Sequence, residues 1–364
     1  MARLGTICSD SIETLKPSYR GYIDYIDISS IDNKLKRIVS TQRILANEAP
    51  SRAKQIVQKG DILISTVRPN LNAVAFVDED YNMPVASTGY CVLRCNDSID
   101  KRYVFHYCQS QHFVDVLSAQ AAGASYPAVS NAIVKNTEIP LPTLHQQTVI
   151  SQAFDQIDSL ISLRKKQLQK LDDLVKSRFV EMFGDPAQNT MGLPVKTLPE
   201  ISDNLDSRRI PITSSDRKAG VFPYYGASGI VDYVENYIFD EDILLVSEDG
   251  ANLLARVTPI AFSVSGKVWV NNHAHVIRFT DKAMQIYVEH LLNMIDISSF
   301  VTGTAQPKLN QAKMNSIPIP MPMERSLQAF LEFVKQNEKT KLTVQQGLDK
   351  LELLKQSLMQ KCFG

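Results

Sequence analysis

Ile139-Pro140-Leu141-Pro142 leads into a run that closes on Glu181-Met182-Phe183-Gly184, and the reading of that run decides the fold. Between His145 and Phe183 there is neither proline nor glycine. Apolar residues recur at Ile150, Phe154, Ile157, Ile161, Leu168, Leu171, Val175 and Met182, in steps of three, four or their sum. That is the period of an amphipathic helix, and nothing inside the run would break one. At about 1.5 Å per residue, a helix from His145 to Phe183 is a rod of roughly 58 Å.

The chain then repeats itself. Ile317-Pro318-Ile319-Pro320 precedes a second periodic run from near Glu324, carrying Leu327, Phe330, Val334, Val344, Leu348, Leu351 and Leu358, and this run too closes on Phe363-Gly364. Arg164 interrupts the first stripe; Asn337 and Lys341 interrupt the second. Polar residues on such a seam cost stability and fix register. Upstream, Gly123-Ala124-Ser125-Tyr126-Pro127-Ala128-Val129-Ser130 aligns with Gly303-Thr304-Ala305-Gln306-Pro307-Lys308-Leu309-Asn310. Asp61-Ile62-Leu63 aligns with Asp242-Ile243-Leu244, and Tyr103-Val104-Phe105-His106 with Tyr287-Val288-Glu289-His290. The same blocks in the same order are the signature of an internal duplication.

Neither rod buries its stripe alone, so the simplest solution pairs them antiparallel; the alternative is that each folds onto its own domain. The expected fold is α+β, two mixed α/β domains joined by two long antiparallel helices in a pseudo-two-fold repeat. Expected boundaries are residues 1–143 and 188–320 for the domains, 144–187 and 321–364 for the helices. In the first domain Gly60–Ser65, Ala73–Val77 and Gly89–Arg94 read as strands and Lys101–Leu117 as a helical patch. In the second, Asp242–Ser247, Ile260–Val264 and Ala274–Phe279 are the strands and Met284–Met294 the helix.

The 364 residues carry 39 basic and 39 acidic groups, and residues 1–143 hold 15 basic against 14 acidic ones. This balance argues mildly against a protein that coats nucleic acid by charge alone, and not against one that reads it with a few placed side chains. The five cysteines show no framework spacing, which points to free thiols in a reducing compartment. No apolar stretch is long enough to span a bilayer and the first residues lack a signal peptide's apolar core, so the expected location is the cytoplasm, away from membranes.

Chemistry-bearing motifs are missing. There is no phosphate-binding Gly-x-x-x-x-Gly-Lys-Ser/Thr, no Gly-x-Gly-x-x-Gly and no Gly-x-Ser-x-Gly. Nor is there the Asn/Asp-Pro-Pro-Tyr/Phe segment of amino-methyltransferases; Gly184-Asp185-Pro186 lacks its second proline and aromatic residue. No catalytic residue, bound cofactor or metal is expected. Cys91, Cys95, His106, Cys108 and His112 lie close in sequence but without paired zinc spacing, and His273 and His275, with Glu248 and Asp249 nearby, likewise lack a standard ligand spacing.

Polar turns at matching places hold more promise. Ser65-Thr66-Val67-Arg68-Pro69-Asn70 aligns with Ser247-Glu248-Asp249-Gly250-Ala251-Asn252, beside the Gly-x-x-x-Pro turns quoted above; Pro223-Tyr224-Tyr225-Gly226-Ala227-Ser228-Gly229 occurs in the second half only. Arg, Asn, Gln, Ser and Tyr read base edges and grip phosphates. Candidate DNA-contacting residues are Arg68, Asn70, Ser125 and Tyr126 in the first domain and Tyr225, Ser228, Asn252, Gln306 and Lys308 in the second. The competing reading is that these are solvated loops.

With the duplicated Ile-Pro-x-Pro strap, the Gln146-Gln147 helix start, the Phe222–Gly229 run, Glu248–Asn252 and Asn272-His273-Ala274-His275-Val276 in order, the chain resembles the specificity subunit of type I restriction–modification systems over essentially its whole length. The resemblance implies two target-recognition domains, each binding one half of a split double-stranded DNA sequence. It implies paired helices that set the spacing and dock DNA methyltransferase subunits, which bring S-adenosylmethionine, and a translocating restriction subunit that joins them. A non-catalytic protein-interaction scaffold and a free-standing DNA-modifying enzyme are the rival classes.

Overall fold

In a computed structural model, which describes every residue from 1 to 364 except Ala124 and Thr304, the chain forms two compact units. The first comprises Met1–Lys165 with Gln346–Gly364, the second Lys166–Gln345. The two aligned-turn residues Ala124 and Thr304 lie outside the described residues. The predicted rods are single helices of 40 residues each, Leu144–Phe183 and Glu324–Phe363. Each passes unbroken from one unit into the other, so each unit contains a globular domain, the start of its own helix and the end of the other.

Inside each unit the helices run antiparallel. In the first, Lys355 meets Asp158 at 2.6 Å and Lys165 meets Glu352 at 2.9 Å. In the second, Lys341 meets Asp172 at 2.8 Å and Phe330 packs edge-on against Phe179 and Phe183. The terminal phenylalanines do the same work twice. Phe363 is 2% exposed among Tyr103, Tyr107 and Phe154, while Phe183 is 3% exposed among Phe179, Tyr287 and Phe330. Burying a side chain of this size stabilises by about 2–3 kcal/mol.

Each domain has two larger sheets of matching topology. Antiparallel strands Tyr90–Leu93, Ile62–Ser65 and Val74–Phe76 in the first unit correspond to Ala274–Arg278, Ile243–Ser247 and Ala261–Val264 in the second, where Asp203–Asn204 adds an edge. The second sheet orders Gln42–Leu45, Tyr22–Ile26, Pro84–Ser87 and Ala53–Ile56, with the middle pair parallel. Its counterpart orders Gly229–Val234, Ala219–Gly226, Lys267–Val270 and Phe239–Asp240, again with a parallel middle pair. These second sheets carry polar, half-exposed strands such as Gln42-Arg43-Ile44-Leu45, and the sequence pattern gives no sign of them.

Three sequence expectations need correction. The expected helical patch Lys101–Leu117 is two helices, Lys101–Tyr107 and Gln111–Ala119, because the Ser110 hydroxyl caps the second by accepting from the Phe113 N–H at 3.2 Å. The strap equivalent to Ile139-Pro140-Leu141-Pro142 is Ile319-Pro320-Met321-Pro322, two residues beyond the alignment made from sequence. The proof is in the hydrogen bonds: Tyr103 Oη donates to Pro140 O at 3.0 Å and Tyr287 Oη to Pro320 O at 2.8 Å. Finally, strand pairing places Ile62 opposite Leu93 and Leu244 opposite Ile277, so Asp61 corresponds to Ile243 and not to Asp242. Buried Asp61 accepts from Arg94 at 2.8 Å, whereas Asp242 stands at the surface with Lys282 at 3.5 Å.

Candidate nucleic-acid interface

In the first unit, the loop leaving strand Ile62–Ser65 is locked to the Gly123–Ser130 turn. The Arg68 N–H donates to Pro127 O at 2.7 Å, the Val129 N–H to Thr66 O at 2.9 Å, and Val67 bridges Ala128. Arg68 has φ of 49°, a left-handed conformation that throws its side chain outward from the turn Pro69–Leu71. Its guanidinium lies 4.7 Å from the centroid of the Tyr126 ring, and that ring is 69% exposed. A cation over an exposed ring gains about 0.5–1 kcal/mol and leaves the N–H edge facing outward. Asn70 and Ser125 are exposed beside this pair. Two of the four candidate residues of this domain therefore touch, and the other two flank them.

The second unit repeats the frame with other side chains. The Gly250 N–H donates to Pro307 O at 3.0 Å, the Leu309 N–H to Glu248 O at 2.8 Å, and Asp249 bridges Lys308. Both turns demand glycine directly after their bridged residue, Ala122 or Thr302: a Cβ on Gly123 would stand 2.9 Å from Tyr126 O, and one on Gly303 2.6 Å from Gln306 O. At the place of Arg68 stands Gly250, and at the place of Tyr126 stands Gln306, which is exposed. The cation of this loop is Lys308, whose ammonium sits 3.1 Å from Glu248.

The remaining candidates divide. Asn252 closes on its own loop, donating from Nδ2 to Thr258 O at 2.9 Å and accepting from the Thr258 N–H at 3.0 Å, so its amide is already engaged. The Pro223–Gly229 run, read from sequence as a turn, is mostly strand; only Ala227 and Ser228 form the tip of the Ala219–Val234 hairpin. Tyr225 is half-buried in that strand with its ring 6.0 Å from Phe262, and burial raises its hydroxyl pKa. Ser228 is exposed at the tip, which Ser247 Oγ holds by donating to Ala227 O at 2.5 Å.

Behind the second loop lies a polar frame that the sequence reading missed in part. Asp206, Glu248 and His275 bring their ligating atoms within 4.8 Å of one another, the one set among the described residues with metal-like proximity. Its groups are occupied. His275 presents Nδ1 to Asp206 at 2.6 Å and Nε2 to Leu309 O at 2.8 Å, so both ring nitrogens already have partners within the protein. Arg209 donates to Glu248 at 2.7 Å, and the Val276 N–H to Asp206 at 2.8 Å. Burial opposes ionisation of both carboxyls, but the hydrogen bonds from His275 and Arg209 outweigh it and hold both pKa values below the usual range. His273 turns away to Asp249 at 2.8 Å. Asp206 and His275 are far apart in sequence, so no local spacing announces their contact.

The cysteine–histidine group of the first domain does not converge. Cys91 and Cys108 are fully buried, and burial pushes the Cys91 thiol up to about 12. Cys95 lies 3.7 Å from Cys8. His106 is turned to Asp155 at 2.8 Å, and His112 is exposed.

Fold and site together define a tandem recognition protein: one α/β frame built twice, presenting different exposed side chains from matched loops. Residues 6–173 and 193–353 match the family model of the type I restriction modification DNA specificity domain, and the chain belongs to that family. A Haemophilus influenzae protein described as a type I restriction enzyme specificity subunit is 39% identical over 127 residues, covering 35% of this chain and 32% of that one. A Methanocaldococcus jannaschii type I restriction enzyme specificity subunit is 22% identical across 85% of this chain and 78% of its own. The chain thus spans about a third of the first relative and most of the second. A chain from a solved structure concerned with complex assembly and conformational transition of the type I R-M system shares the fold at TM-score 0.64, with 24% identity over 100% of this chain and 96% of that one. No helix among the described residues is long and apolar enough to cross a membrane.

Proposed function

We infer that the chain is the sequence-reading subunit of a type I restriction–modification complex, each unit recognising one half of a bipartite duplex target. The observation that carries this is the pair of loops held by equivalent hydrogen bonds, Arg68 to Pro127 and Gly250 to Pro307, with Arg68 and Tyr126 outward in one and Gln306 and Lys308 in the other. A common scaffold with unlike reading edges suits two different short signals. Reading requires no chemistry from this chain, and methyl transfer is assigned to methyltransferase subunits that carry S-adenosylmethionine and dock on the long helices. A restriction and translocation subunit completes the assembly. The near-neutral charge of each domain fits DNA gripped jointly with such partners.

The test is to express the chain with a cognate methyltransferase subunit and map the methylated bases in the host genome. The expected result is a split motif, with Arg68→Ala relaxing a position in one half only. A contiguous motif, or an unchanged motif after alanine replaces all nine candidate residues, would overturn the reading. The purified chain alone is expected to transfer no methyl group.

A further inference from the structure

The first unit contains a cleft of about 480 Å³ that the reading loops do not use. Its walls carry Lys34, Lys36, Lys165 and Lys355 against two side-chain carboxylates, Asp158 and Glu352, with Gly364 also in the lining. Both carboxylates are taken, Asp158 by Lys355 at 2.6 Å and Glu352 by Lys165 at 2.9 Å. Lys34 and Lys36 form no ion pair among the described residues; the Lys36 ammonium donates to Asn72 O at 2.5 Å. The start of helix Gln111–Ala119 also lines the cleft through Ser110 and His112, adding the positive end of a helix dipole.

Two features show that these cations are placed. The Asp32 carboxylate accepts from the N–H groups of Lys34 at 2.8 Å and Leu35 at 2.9 Å, and the Lys36 N–H donates to Asp32 O at 2.8 Å. The tip of hairpin Ile31–Ile38 is thereby locked with Lys36 at φ of 54°, aimed inward. Burial first, and the charge of Lys355 second, push the Lys36 amine down to about 8, against the opposing charge of Asp32. Lys355, moreover, stands as far before the closing Phe-Gly as Val175 does in the other helix, and Val175 is buried core. An apolar residue would pack this position at lower cost than an ammonium.

We propose that this cleft binds a phosphate-class oxyanion and, resting on the DNA-recognition reading, that the ligand is a backbone phosphodiester beside the half-site met by Arg68 and Asn70. The cleft adjoins that loop directly: Asn72, which takes Lys36 on its carbonyl and donates from Nδ2 to Gln109 O at 3.1 Å, closes the turn that bears Asn70. A phosphate held here sets the register of the duplex against the reading side chains without itself carrying sequence information.

Lys36→Gln keeps a donor for Asn72 O and removes the charge. In the full chain with its methyltransferase partner it should weaken target and unrelated duplexes by the same factor, about three- to tenfold, and make the salt dependence of log affinity shallower by about one. Lys34→Gln, on the exposed tip, should shift both in the same direction and serves if Lys36→Gln fails to fold. Acylation of Lys36 in the wild-type chain near pH 8 gives an independent readout, with duplex or inorganic pyrophosphate added as protectant. Protection by both supports the proposal. Duplex binding with no protection by either, and an unchanged salt slope, overturns it while leaving the DNA reading intact. Protection by pyrophosphate while bound duplex leaves Lys36 reactive overturns the phosphodiester assignment. Protection by pyrophosphate from a complex that binds no duplex keeps the oxyanion site and removes the DNA reading.

Discussion

Arg68 occupies a left-handed backbone position and stacks on Tyr126, two local costs and gains that nearly cancel but leave the guanidinium pre-aimed. Removing the ring frees Arg68 without deleting its hydrogen bonds, so Tyr126→Ala should weaken target binding by about 1 kcal/mol. Arg68→Ala should cost about 1–3 kcal/mol and relax one base position. Competition binding with single-base variants of the half-site separates the two. A second residue-scale effect concerns acid. His290 lies edge-on to Phe330 at 5.3 Å, and burial first, then the charge of Lys341, lowers its pKa to about 4. It is neutral when folded and protonated when unfolded between about 6.5 and 4, so the unfolded state binds the extra proton and stability falls as pH drops through that window. For a half-buried ring the loss is about 2 kcal/mol at most. The urea midpoint of His290→Phe should be flatter over that range than that of the wild type.

Both long helices were legible from the spacing of Phe154, Ile157, Val175, Leu327, Phe330 and Val344, because a 40-residue amphipathic run overrides every local ambiguity. The central strands were legible for a similar reason: Ile62-Leu63-Ile64-Ser65 and Ile243-Leu244-Leu245-Val246-Ser247 are buried along their whole length and read as continuous apolar runs. The second sheet of each domain was not. Val231 and Tyr233 are 56% and 51% exposed on strand Gly229–Val234, an edge strand paired with Ala219–Gly226 alone, so no buried face marks its pattern. Loop positions were legible from the repeat, but whether a side chain is free or spent was not: Asn252 and Asn70 align, yet only Asn252 is tied down, by Thr258. At this scale Asn337 offers a test. It is 5% exposed in the helix seam, and its Nδ2 has no hydrogen-bond partner. Asn337→Leu should raise stability by about 1–2 kcal/mol, seen as a higher melting temperature, while loosening the specification of helix register. Four residues inserted after Arg164, with four more opposite them after Lys350, add roughly one turn and about 6 Å to each helix. The methylated motif should then keep both halves and gain one or two base pairs between them.

At the scale of the whole molecule, the closing Phe-Gly of each helix belongs to the core of the unit it enters, Phe183 with Tyr287 and Phe363 with Tyr103. Phe363→Ala should therefore destabilise the first unit by about 3–5 kcal/mol and spare the second. Hydrogen exchange resolved by segment would report the difference, with residues 90–120 exchanging faster and residues 243–292 unchanged. The same arrangement imposes an order on biosynthesis. Residues 1–165 leave the ribosome well before 346–364, the segment that completes their core, with the whole of the second unit made in between. At about 5–20 residues per second the first domain waits many seconds with Tyr103 and Phe154 uncovered, while the second can close as soon as residue 345 emerges. A chain interrupted before residue 346 therefore carries its Arg68 loop on a core that still lacks Phe363 against Tyr103 and Phe154.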